Sequence, residues 1–137
     1  MSFFRGLADT FRAVNEGRAT ANAHKAAEHY LGIKLPLDVA EDGFATVARM
    51  ADFSSIEQMS MVYVIKYAQR MVDYLDSVNA TNEFRLEVAK NVARACINLA
   101  NLQRSGTKFE AFYVKELVEA AKMLGVKTDG EKISFTI

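Results

Sequence analysis

The chain has 137 residues, half of them hydrophobic, and carries 17 basic against 17 acidic groups. That length and apolar content suit one domain with a real core. The neutral charge is spread evenly and gives no electrostatic case for nucleic acid. A lone Cys96 excludes an internal disulfide, and no apolar run approaches the roughly 20 residues of a membrane span.

The first periodic stretch spans about Ser2 to Leu31. Phe4, Leu7, Phe11 and Val14 fall on one helical face, with Arg5, Asp9, Arg12 and Glu16 elsewhere. Its apolar side could pack on a bundle or lie on a membrane surface. Two arginines diluted by two acids are weak for the second role, so packing is expected. The stretch lacks an apolar h-region, so no secretory signal is expected and cytoplasm is the expected location. Gly17 is placed to bend or break this helix. Beyond it the stripe thins to Ala23, Ala26, Ala27 and Tyr30, and Gly32 is a stop signal.

Pro36 pushes Leu35 toward extended geometry, which makes Ile33–Leu35 a short extended piece by expectation. Asp38 and Glu41 resemble a capping box opening a helix to about Phe53, with Phe44, Val47, Ala48 and Ala51 as its inner face. Ser54 and Glu57 form a second box. The helix it opens, to about Val78, carries a continuous apolar stripe through Met61, Val64, Ile65, Ala68, Met71, Val72, Leu75 and Val78. A second row holds Met59, Tyr63, Tyr67, Arg70 and Tyr74. A helix apolar around most of its circumference belongs at the centre of a bundle or at an interface.

Thr81 is the expected cap of a helix over about Asn82–Arg104. Val88, Val92, Ala95, Leu99 and Leu102 make one face; Leu86, Ala89, Ala93, Cys96 and Ala100 make an adjacent one of mostly small residues. Thr107 and Glu110 repeat the capping-box pattern. They open a helix to about Leu124 that is expected to bury Phe109, Phe112, Tyr113, Leu117, Ala120 and Leu124. Gly125 followed by Val126 reads as a glycine C-cap with its apolar contact. The chain then turns at Thr128-Asp129-Gly130 and ends in ISFTI, whose alternation is that of a β-strand. That strand needs a partner. The candidates are Ile33–Leu35, the Gly125–Thr128 stretch as a hairpin, or a second copy of the chain; pairing within the protein or its homodimer is expected.

The expected fold is therefore all-α. It is a four- to five-helix bundle forming a single domain over 1–137, with a turn and short β element over 126–137.

Few residues point to chemistry. His24 and Glu28 share a helical face, but HKAAEH lacks the H-E-x-x-H spacing that brings two histidines to one metal. The two are weak candidates for a polar site, and no metal or cofactor is expected. Asp38, Glu41 and Asp42 supply oxygen ligands in principle, yet acids belong in a helix's first turn. Cys96 has no histidine or other base in its helix and reads as an inert core thiol. The row of Tyr63, Tyr67, Arg70 and Tyr74 offers large apolar area with polar tips and is the candidate interface; the competing reading is a half-buried seam within the chain. The leading expectation is a non-enzymatic interaction or structural protein. It would be homodimeric or bind another protein, because zero net charge gives little barrier to self-association. The alternative is a helical bundle that binds a small ligand or cofactor in its core, with Arg70, His24 and Glu28 as first polar groups.

Overall fold

The computed structural model describes residues 18–50, 54–104, 106, 111–128 and 135–136. Among them run five helices: α1 over 18–31, α2 Leu37–Val47, α3 Ile56–Ser77, α4 Asn82–Arg104 and α5 Ala111–Met123. The all-α bundle expected from periodicity is present. The first half of the expected N-terminal helix, Phe109 and the Thr107–Glu110 box lie outside the described residues.

The helix ends follow from local chemistry. Gly32, at φ 73°, ends α1. The N–H groups of Gly32 and Ile33 both donate to the Glu28 carbonyl, at 2.8 and 3.3 Å. Asn79, at φ 48°, ends α3 in the same manner: its N–H donates to Asp76 O and that of Ala80 to Leu75 O. Gly125 ends α5, where the Val126 N–H reaches Ala121 O at 3.1 Å and the Val126 side chain is buried. Thr81 caps α4 as expected, its Oγ1 accepting the Phe84 N–H at 3.2 Å.

Two caps differ from expectation. Ser55 with Gln58, not Ser54 with Glu57, forms the reciprocal box of α3. Both pairs fit the pattern. The observed register leaves Glu57 in the first turn, facing the positive helix end. Asp38 does not cap α2. Pro36 is the N-cap, without a side-chain bond, and Asp38 falls inside the first turn. The helix also stops at Val47 rather than near Phe53, through tighter turns from Arg49 to Thr46 O and Met50 to Val47 O.

α3 is the central element and packs against α2, α4 and α5. Every residue from Met59 to Ile65 is buried, so α3 is enclosed on all sides over these two turns. α2 runs antiparallel to it, fixed by ion pairs Asp38–Arg70 and Asp42–Lys66 (Oδ2–Nζ 3.2 Å). Between them Gly43 lies under the Tyr63 ring, and a β-carbon there would collide with it. These contacts turn Val39, Gly43 and Val47 inward. Phe44, expected inside, is 52% exposed. The same correction applies to Phe112 on α5 and Leu86 on α4, which are exposed. Leu117 and Ala120 of α5 are buried as expected, joined by Ala121, and Tyr113 and Leu124 pack half-buried against the core. On α4, Val88, Ala89, Val92, Ala93, Ala95, Cys96, Leu99 and Ala100 are all buried, so both expected faces contribute. Ile33–Leu35 forms no strand; it is a link whose Leu35 N–H is taken by Glu28.

Candidate functional site

The Tyr/Arg row of α3 divides into an inner and an outer half. Tyr63 and Tyr67 are 1% and 3% exposed, inside the chain's own core. Burial pushes the Tyr63 phenol up to about 12. Burial, aided by the negative charge of Glu87, does the same to Tyr67. Arg70 and Tyr74 form the outer half. The Arg70 guanidinium lies 5.2 Å from the centroid of the Tyr74 ring, and its Nε donates to Asp38 Oδ2 at 2.6 Å. That bond and, more weakly, the Val39 N–H hold the Asp38 carboxyl below its usual range. Arg70 is exposed, Tyr74 half-buried. Its bond to α2 and its stacking on Tyr74 fix the arginine in place, giving a preset aromatic–guanidinium patch at the surface.

His24 and Glu28 meet the inner end of the same row. The His24 imidazole stacks on the Tyr63 ring, centroids 5.4 Å apart and planes 20° from parallel. Its Nε2 is 3.5 Å from Glu28 Oε2, the oxygen that also accepts the Leu35 N–H at 2.8 Å. Glu28 thereby fastens the end of α1 to the link before α2. His29 is exposed and its ring tilts toward Tyr30. Among the described residues no group of three His, Cys, Asp or Glu side chains is placed to hold a metal ion. Of the acidic trio, Asp38 and Asp42 are engaged by Arg70 and Lys66, while Glu41 is exposed. Cys96 is fully buried and burial pushes its thiol up to about 12, so it carries no thiolate at neutral pH.

Two positioning residues escaped sequence reasoning. Arg85 donates to Asp76 Oδ1 at 3.0 Å, to Leu75 O at 3.0 Å and to Ala80 O at 3.1 Å, tying the α3–α4 turn together. Arg94 lies over Gly32 so closely that a β-carbon there would strike its guanidinium. This joins α4 to the negative end of α1. Neither contact has a local sequence signal. A cleft of about 80 Å³ lies beside Arg85, lined by Val72, Leu75, Asp76, Met123 and Leu124. That volume falls well below the ~300 Å³ at which small-molecule sites begin.

No helix of the described residues is long and apolar enough to cross a membrane. No family model matches the chain, and neither a curated protein nor a solved structure is significantly similar to it.

Proposed function

We propose that this chain is a non-enzymatic interaction protein of the cytoplasm that self-associates as a homodimer, with the Arg70–Tyr74 patch in the contact. The observation that carries the proposal is the fixed geometry of that patch. Arginine and tyrosine supply much of the binding energy at protein interfaces. An arginine already held by Asp38 and Tyr74 loses little conformational freedom on docking. Tyr63 and Tyr67 serve as the rigid support beneath. Zero net charge offers little repulsion between copies.

The C-terminal tail belongs to this proposal as a short β ribbon folded back within its own chain. An antiparallel register of Lys127 with Thr136 and Thr128 with Phe135 supports it. So does the position of the two segments beside α5 and α4. The outer edges of such a ribbon are open to a further strand.

The test is the mass in solution of the full chain, by light scattering, beside Arg70→Ala and Tyr74→Ala. Both residues lie at the surface edge, so the variants should keep the helical circular dichroism and shift the dimer toward monomer. A dimer mass unmoved by both substitutions removes the patch from the interface.

A further inference from the structure

The second half of α3 keeps one face open. Lys66, Arg70, Asp73 and Ser77, spaced 4, 3 and 4 apart, lie within an arc of about 60°. Lys66 is half-buried and the other three are exposed. α2 flanks this face only as far as Arg70, since it begins at Leu37 and its Asp38 and Asp42 meet Arg70 and Lys66. The charges on the face are incompletely engaged. Arg70 gives its Nε to Asp38, and among the described residues its two terminal amino groups make no hydrogen bond. Asp73, one turn further on, has neither an ion pair nor a side-chain hydrogen bond among them.

We propose that two copies of the chain pair through this face about a two-fold axis, α3 antiparallel to α3, with Arg70 of each copy donating its terminal N–H groups to Asp73 of the other. This rests on the self-association already proposed and names the residue that Arg70 meets. A two-fold contact requires a self-complementary surface. Arg70 and Asp73 supply one when the axis passes at the level of Met71 and Val72, because arginine then faces aspartate at two identical pairs. The same register sets Lys66 opposite Ser77 and places no two acids or two bases directly opposite. Parallel pairing would set Arg70 against Arg70 and Asp73 against Asp73, like against like. One guanidinium serves two carboxylates, Asp38 at its Nε edge and Asp73 of the second copy at its terminal amino groups. Packed helix axes lie about 8–10 Å apart, a gap that arginine and aspartate side chains span together. Exposed charge pairs add little affinity by themselves; here they fix register and exclude other pairings. Apolar area comes from Leu37, 75% exposed beside Asp38, and from the half-buried Tyr74.

The test is charge reversal in the full chain, read by light scattering across a range of concentrations. Asp73→Arg opposes base to base at both pairs and Arg70→Glu opposes acid to acid, so each should raise the dimer Kd about ten-fold or more. Mixed in equal amounts, the two variants place opposite charges at both pairs of a mixed dimer, and the dimer mass should return. Ser77→Lys and Ser77→Glu leave Arg70 and its bond to α2 alone. Acting through Lys66, they should weaken and tighten the dimer about two- to three-fold respectively. Circular dichroism confirms that each variant keeps its helices. A dimer that Arg70→Ala and Tyr74→Ala weaken but Asp73→Arg leaves intact overturns this pairing while the patch stays in the interface. So do folded reversed variants that stay monomeric on mixing, or a Kd insensitive to both Ser77 substitutions. A parent chain that is monomeric at every concentration overturns this pairing and the self-association beneath it. Masses that grow past the dimer mean a head-to-tail contact and overturn it as well.

Discussion

Replacing Gly43 by alanine is expected to destabilise the protein, although alanine is the better helix former. In an exposed helix the exchange gains about 1 kcal/mol. At Gly43 the new methyl group would collide with Cδ1 and Cε1 of Tyr63. That ring has little room to withdraw, being 1% exposed and stacked on His24. Overpacking costs about 1–3 kcal/mol, and two collisions with so enclosed a ring place Gly43 in the upper part of that range, about 2–3 kcal/mol. The net loss should be about 1–2 kcal/mol, a fall in Tm of roughly 4–8 °C for a domain of this size. Urea unfolding followed by circular dichroism measures it. In a Tyr63→Leu background, the penalty of Gly43→Ala should shrink or reverse, since the colliding ring atoms are gone. A Gly43→Ala protein as stable as the parent would refute the α2–α3 packing on which the site rests.

Arg85→Ala should lower stability by about 1–2 kcal/mol, because two carbonyls at the α3–α4 turn and Asp76 lose a shared donor. Arg85→Lys should recover little, as a single ammonium cannot span three acceptors in that fork; full recovery in urea unfolding would argue against the bonds being significant. Tyr63 and Tyr67, held at about 12 when folded against an ordinary 10, contribute stability fully present below pH 10 and lost as pH rises toward 12. Each unit is worth up to about 1.4 kcal/mol. Phenolate absorbance should then rise in two phases, the later one coinciding with loss of helix; a single phase near pH 10 with helix retained would contradict this. Cys96 should resist thiol reagents in the native protein and react at the rate of unfolding. Rapid native labelling would mean that the α4 face opens.

The helices were legible in the sequence because periodicity and end signals agreed. Thr81, Gly32 and Gly125 act where the residues said they would. The orientation of α2 was not legible. The expected inner face through Phe44, Val47 and Ala48 and the observed one of Val39, Gly43 and Val47 both fit a helical period, and the choice between them is made by residues of α3: Arg70 and Lys66 pair with its acids, and Tyr63 needs a glycine beneath it. The same holds for the site. The Tyr/Arg row could be read from i, i+3 and i+4 spacing, and so could the His24–Glu28 pair. That the two meet at Tyr63, far away in sequence, depends on tertiary packing. Arg85 was invisible for a related reason, since its acceptors are carbonyls, which every residue carries.

Light scattering of the full chain across a range of concentrations tests the central claim most directly. A homodimer should give a mass of about 30 kDa, twice the 15.2 kDa chain. That mass should fall toward the monomer when Arg70 and Tyr74 are both alanine, with helix content kept. A parent chain that stays at the monomer mass at every concentration would contradict it.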